Sequence, residues 1–230
     1  MNDRLGADAP RLIILLVGAV GAGKGTQAAI LSRELRLPHL ASGNLFRAAM
    51  AAHTELGDEA RGFMERGELV PDEMTIRMFM EELGASRAAR GAILDGFPRT
   101  VGQARALDET LARQGERIRR VIYIDVPTED LIRRVAGRWI CLQCGTPYHE
   151  TTDPPMVDGH CNRDGSVLTQ RDDDRPEVVR ARLERQVPPM LEVVDHYQRA
   201  AIVDRLDGTR PIEEVTAEIL SRIGETAASA

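Results

Sequence analysis

GAVGAGKGT, residues 18–26, follows the apolar run LIILLV and holds Lys24, the chain's single lysine; every other of its 30 lysine-plus-arginine side chains is an arginine. A sequence that chooses arginine everywhere else keeps lysine only where arginine does not serve. The run before it reads as a strand, RLIILLV (11–17), and GTQAAILSREL (25–35) after it reads as a helix. A glycine-rich turn between strand and helix points successive backbone N–H groups inward, and the helix N-terminus adds partial positive charge. That is a cradle for the phosphates of a nucleotide. Lysine brings a compact ammonium on a long stem that can follow a moving phosphoryl group, whereas arginine's planar fork suits a fixed clamp. The general pattern is G-x-x-x-x-G-K-[ST]. Gly18 to Lys24 satisfy it, with Gly25 next and Thr26 one position later. Gly21, Ala22, Gly23, Lys24, Gly25 and Thr26 are the expected cradle.

Further along, PHLA (38–41), AILD (92–95), VIYID (121–125) and AIVDRL (201–206) are continuous apolar or β-branched runs. Such runs suit strands covered on both faces. Helical stretches lie between them: EMTIRMFMEELG (73–84), EDLIRRVAGR (129–138) and PIEEVTAEILSRIG (211–224), the first and last with a glycine stop. Strand–helix alternation predicts a parallel sheet with helices on both faces, an α/β fold. Two stretches break the rhythm. Residues 42–70 hold helical pieces without a strand. Residues 139–172 are rich in Gly, Pro, Asp, Cys and His with no helical period, and read as a small insertion. DDDRPE (172–177) follows it as a helix start, with Asp174 as N-cap, Pro176 in the first turn and Glu177 three residues on.

Bulk properties narrow the class. At 230 residues the chain can bury a substantial core. A net charge of -6 and 3% aromatic content disfavour a nucleic-acid-binding surface. No run is long and apolar enough to span a membrane. MNDRLGADAPR, at the start, lacks the features of a secretory signal, so a cytoplasmic address is expected.

The chain's 3 cysteines all fall in the insertion. CLQC and CNRD give C-x2-C and C-x2-D, so Cys141, Cys144, Cys161 and Asp164 can form a closed tetrahedral zinc site, since zinc accepts carboxylate oxygen as well as thiolate. His149 and His160 are rivals for the fourth place, and a metal-free cluster is the remaining reading. With all ligands from protein, the zinc would be structural and would fold an insertion too small and polar to fold by itself.

LDGFPRT (94–100), ASGNLFR (41–47), LVPDE (69–73), GR (137–138) and RDDDRPEVVRARL (171–183), together with GKGT, resemble the adenylate kinase family from about residue 11 to 222. The insertion is similar to the zinc-bearing lids of some bacterial members. The resemblance implies a P-loop core with a five-stranded parallel sheet (11–40, 71–136 and 175–224). It also implies two inserted subdomains: a monophosphate-binding one at 41–70 and a lid at 137–174. It implies reversible transfer of a phosphoryl group from ATP to AMP with Mg2+, giving two ADP, by a monomer.

By position, Arg47 and Arg99 would meet the AMP phosphate, and Ser42 and Gln103 its adenine. Glu68, Val70 and Gly96 would complete that pocket. Arg134 would stack on the ATP base, on one helix face with Arg138, while Arg133 lies on another face. DGTRP (207–211), with Arg210, would meet the ATP adenine. Arg138, Arg171 and Arg182 would embrace the transferring phosphates alongside Lys24 and Arg99. Asp95 would hold the Mg2+ hydration shell. Two residues depart from the family pattern: Val20 stands where proline is usual and Asn44 where aspartate is common.

Such chemistry is self-consistent. The acceptor phosphate is already ionised, so no general base is needed. Bringing two anions together calls for positioning and positive charge. A GTP-preferring AMP kinase or another nucleoside monophosphate kinase would share these motifs. A zinc-ribbon binding module with a regulatory phosphate loop is the reading from a different class, and the acidic balance and the paired arginine motifs stand against it.

Overall fold

The computed structural model describes residues 11–65, 70–170 and 174–228. Glu68 and Arg171 lie outside them, as do residues 1–10 and the first two aspartates of DDDRPE.

The chain runs β1 (Leu12–Val17), α1 (Lys24–Leu35), β2 (His39–Ala41), α2 (Ser42–Ala51), α3 (Glu55–Glu65), α4 (Asp72–Gly84), β3 (Gly91–Asp95), α5 (Val101–Ala112), β4 (Ile118–Asp125) and α6 (Thr128–Ala136). It continues through β5 (Arg138–Cys141), β6 (Pro147–His149), β7 (Leu168–Thr169), α7 (Pro176–Gln198), β8 (Val203–Asp207) and α8 (Ile212–Ala228). β2, β3, β1, β4 and β8 form a sheet in that order, every pairing parallel.

Period-two alternation along the central strand sorts the core into two layers. Ile14 and Leu16 pack with Ile93, Ile122 and Ile124 against Leu31 of α1, Leu131 of α6, Val179 and Leu183 of α7 and Ile219 of α8. Ile13, Leu15 and Val17 face the other way, with Leu94, Val121 and Tyr123, onto Phe79 of α4, Leu107 of α5 and Val193 and Tyr197 of α7. Long α7 thus contributes its first half to one layer and its second half to the other. Because β3 lies on one side of β1 and β4 on the other, the chain's direction of winding switches at β1. In parallel sheets that switch opens a crevice beyond the strands' carboxyl ends, which is where residues 18–26 lie.

Several expected boundaries shift. β8 starts at Val203 because Ala201 takes a left-handed turn, φ 55°, after α7. α6 stops at Ala136, so Arg138 is not on that helix; it opens β5 instead. The argument that Arg134 and Arg138 share a helix face therefore fails. Asp174 does not cap α7 either. Arg175 holds the cap position with no side-chain capping bond, and Pro176 takes the first turn.

The insertion, which reads in sequence as lacking a helical period, forms a second sheet in the order β6–β5–β7, antiparallel. Its small core is Cys141, Tyr148, Cys161 and Leu168 with Trp139 against it. Too few apolar residues meet there to hold a sheet by burial alone.

Candidate functional site

The glycine-rich loop leaves β1 and enters α1 through tight packing. A β-carbon on Gly21 would sit 2.7 Å from Val135 Cγ2 and 3.0 Å from the Leu131 carbonyl, and the residue's φ is +85°. Only glycine lets α6 approach this closely. Ala22 is buried, while Gly25 and Thr26 face outward at the start of the helix.

Lys24 curls back over its own loop, its Nζ donating to the carbonyls of Gly18 at 2.8 Å and Ala19 at 2.9 Å. Burial holds its ammonium below the ordinary lysine range; Asp95 opposes that shift, and the cations of Arg99, Arg138 and Arg182 add to it. The fold therefore brings together Lys24 and three of the expected arginines from four separate stretches of sequence. Like charges crowd here. The arrangement stores affinity for an anionic ligand.

Asp95 ends β3 beside this cluster. A β-carbon on Gly25 would lie 3.8 Å from its Oδ2. His39 Nε2 sits 3.2 Å from the same oxygen. Burial alone would raise the carboxyl's pKa. The hydrogen bond with His39 and the charges of Lys24 and Arg99 outweigh burial and hold it below the usual carboxylate value. Asp95 thus stays ionised, a fit anion for the water shell of a divalent cation. Sequence reasoning missed His39. The register Ala41↔Asp95 sets β2 alongside β3 and brings the imidazole near the carboxylate, and register is not written in a three-residue strand.

A second group gathers at the start of α5. Arg99 Nε donates to Gly96 O at 2.8 Å, and its Nη2 donates to Ser42 Oγ at 3.1 Å. Ser42 Oγ in turn donates to Gly96 O at 3.1 Å. The Ser42 hydroxyl is thus engaged with Arg99 and the turn, and its proton is committed. Gln103 is buried and fixed on both sides: Oε1 accepts from the Arg99 backbone N–H and Nε2 donates to Asp72 Oδ1, each at 2.7 Å. Asp72 was not singled out in the sequence. Arg47 is exposed one turn along α2, its Nη2 donating to Asn44 Oδ1 at 2.5 Å. Asn44 therefore keeps the bond an aspartate would make. Val70 packs among Phe46, Leu56 and Met78 beneath α2 and α3.

On the other side of the loop, Arg134 Nη2 donates to Gly208 O at 2.9 Å and ties α6 to the turn after β8. Arg210 runs its side chain along α8 to Glu214 and Glu218, leaving only its backbone to the turn. Arg138 meets Asp174 through one edge of its guanidinium, Nε donating to Oδ2 at 2.9 Å and Nη2 to Oδ1.

At the small sheet's tip, the ligand atoms of Cys141, Cys144, Cys161 and Asp164 all lie within 4.8 Å of one another. Two turns of matching form present them. Gly145 N donates to Cys141 O at 2.8 Å, and Gly165 N to Cys161 O at 2.9 Å. Cys144 N approaches Cys141 Sγ, and Arg163 N approaches Cys161 Sγ, both at 3.4 Å. Burial works against the Cys161 thiolate. The Tyr148 hydroxyl and the backbone N–H groups of Arg163 and Asp164 favour it more, and they hold the thiol below its ordinary value. Hydrogen bonds from Ser166 hold Asp164 well below the usual carboxylate range. Three cysteine sulfurs and a carboxylate converging at this distance fit a tetrahedral dication, which binds thiolate and carboxylate oxygen. His149 and His160 lie outside the group: His149 Nδ1 accepts from Thr151 N at 3.2 Å, and His160 Nδ1 faces Asp158 O at 2.8 Å.

Comparison with known proteins gives one answer. The adenylate kinase family profile matches residues 16–202. The chain is 45% identical over 210 residues to an adenylate kinase of Dehalococcoides mccartyi, covering 91% of this chain and 97% of the relative. It is 46% identical over 211 residues to one of Exiguobacterium sibiricum, covering 92% and 98%. It is 43% identical over 207 residues to one of Staphylococcus epidermidis, covering 90% and 96%.

Proposed function

The chain belongs to the adenylate kinase family, and from that premise we propose how its residues divide the work of passing a phosphoryl group from ATP to AMP, giving two ADP. The enzyme is a nucleoside monophosphate kinase. The observation that carries the assignment is the convergence of Lys24, Arg99, Arg138 and Arg182 beyond the carboxyl ends of β1 and β3.

In this reading ATP lies along residues 21–26, its base between Arg134 and the turn at 207–211. AMP lies against Arg99, Arg47, Val70, Gly96 and Gln103, with Glu68 and Arg171 completing the two sites. Lys24 leaves its two loop carbonyls for the β- and γ-phosphates. Both nucleotides keep their charges, so the cationic cluster lowers the repulsion between acceptor oxygen and γ-phosphorus and holds them in line. No side chain needs to take a proton. Asp95 would hold the hydration shell of the Mg2+ that travels with ATP, and that ion, when bound, adds positive charge at the phosphate oxygens. Arg138 and Arg182 stabilise the charge that spreads over the transferring group.

Residues 41–70 serve as the monophosphate-binding segment and residues 137–174 as a lid that keeps water from the γ-phosphate. Cys141, Cys144, Cys161 and Asp164 would hold a structural Zn2+ in that lid. Among the described residues no helix is long and apolar enough to cross a membrane. The chain works as a cytoplasmic monomer in this reading and does not bind nucleic acid.

A coupled assay for ADP, run with ATP and Mg2+ and with or without AMP, tests the proposal. ADP formation that requires AMP supports it, and ATP turnover indifferent to AMP overturns it. Panels of monophosphate acceptors and of ATP against GTP separate it from related kinases.

A further inference from the structure

Gln103 is 2% exposed, and its amide is locked in one orientation. Oε1 accepts from a backbone N–H, that of Arg99, and Nε2 donates to a carboxylate, that of Asp72. A backbone N–H only donates and a carboxylate only accepts. The chemistry of the partners therefore assigns the two ends of the amide, which shape alone does not. The support beneath is rigid. Thr100 Oγ1 accepts from Gln103 N at 3.1 Å as the N-cap of α5, and the same hydroxyl reaches Asp72 Oδ2 at 3.4 Å.

With those two bonds made, the amide keeps one N–H and one carbonyl lone pair. Such a pair reads a purine by the order of its groups. Adenine offers a donor at N6 beside an acceptor at N1. Guanine offers an acceptor at O6 beside a donor at N1. A free glutamine satisfies either base by turning over. Here turning over would set the carbonyl oxygen against the Asp72 carboxylate and the NH2 against the Arg99 N–H. Both bonds would be replaced by repulsion between like groups.

We propose that Asp72 is a specificity-determining positioning residue: by holding the Gln103 amide in one orientation, it makes the acceptor site select a 6-amino purine over a 6-oxo purine. The proposal rests on the assignment of Gln103 to the acceptor base. Asp72 itself touches no nucleotide in it. The carboxylate contributes more to the lock than Arg99, since it carries a full charge.

The test compares kcat/KM for AMP with kcat/KM for GMP, ATP being the donor, in wild type and in Asp72→Asn. Asparagine keeps the size of aspartate but can donate as well as accept, so a turned-over glutamine regains its bond at position 72 and meets repulsion from the Arg99 N–H alone. The AMP-to-GMP ratio is expected to fall about tenfold, within the discrimination a bidentate base contact supplies, while KM for ATP stays within about twofold of wild type. Asp72→Ala, which removes the acceptor outright, should lower the ratio as well. Each ratio is taken within one protein sample, so a loss of stability does not move it. An Asp72→Asn ratio unchanged within about twofold, in a series where wild type phosphorylates AMP, overturns the role of Asp72 alone. A wild type that does not phosphorylate AMP overturns the acceptor reading and this inference with it.

Discussion

Arg138 and Asp174 face each other across the neck of the small sheet, one residue where the chain enters it and the other where the chain leaves. Asp174 is 1% exposed and Arg138 23%, so the carboxylate is the buried partner and the guanidinium stays partly open among the charges around Lys24. The pair aims Arg138 and fastens both strands of the neck. Removing one member of a buried pair leaves the other charge uncompensated, which costs about 3–5 kcal/mol in full burial. Arg138 is partly hydrated, so Asp174→Ala is expected to cost about 2 kcal/mol by that same comparison. Urea unfolding measures it. Turnover should fall about tenfold through misplacement of Arg138. Equal stability of variant and wild type would refute the fastening role.

Lys24→Met removes the chain's only lysine. Among the described residues that lysine donates to the carbonyls of Gly18 and Ala19 in its own loop. Its burial and the three nearby arginines already disfavour its charge, so losing it should leave the melting temperature unchanged or slightly higher. Turnover should drop at least about a hundredfold, as when a single preorganised charge-stabilising donor is lost. Lys24→Arg should recover little, because the fork cannot reproduce the reach of the ammonium. A Lys24→Met variant with near wild-type turnover would remove the phosphate cradle from the mechanism.

Metal analysis of purified protein should find about one zinc per chain, as one closed four-ligand site requires. Cys161→Ser should lose it, since a serine hydroxyl does not ionise to replace the buried thiolate. The small sheet has four buried residues at its core and in this reading would depend on the ion, whereas the main sheet would not. Chelation should therefore raise hydrogen exchange in β5, β6 and β7 before it affects β1 or β3. Protein free of metal with those strands fully protected would contradict the assignment.

What was legible in the sequence was what lies close together along it. The strand, loop and helix around Lys24, the layered α/β plan and the paired C-x2-C and C-x2-D turns are local patterns, and the fold carries them as read. The strands of the small sheet were not legible. Arg138–Cys141, Pro147–His149 and Leu168–Thr169 are too short for periodicity, and turns and ligand geometry shape them more than hydrophobic pattern. Asp174 looked like a helix cap because Glu177 follows three residues on, with Pro176 in the first turn. Its partner, 36 positions earlier, had no local trace. His39 and Asp72 were missed for the same reason, since each acts on a residue brought to it by strand register or helix packing. Sequence reading named the charged groups gathered around Lys24 and overlooked those that hold such groups in place.

Alkaline titration offers a check on the whole core. The chain has 3 tyrosines, and the fold holds each one's pKa above its ordinary value. Tyr123 is pushed up to about 12 by burial and by its hydrogen bond to Asp125, with Arg205 opposing. Tyr197 is raised by burial and by Asp108, and Tyr148 chiefly by its bond to Cys161. A group whose folded pKa exceeds its unfolded one contributes stability that is complete below the unfolded value, near pH 10. That contribution is lost as pH rises through the folded value. Tyrosinate absorbance should therefore stay low in native protein near pH 10 and be about half developed there in urea, where the unfolded value of about 10 applies. Unfolding free energy should fall between pH 10 and about 12, the interval that Tyr123 sets. Tyr123→Phe should make that fall shallower without changing stability's dependence on pH near neutrality. Native tyrosines titrating near pH 10 would mean that the layer formed by Tyr123, Val193 and Tyr197 is not packed as described.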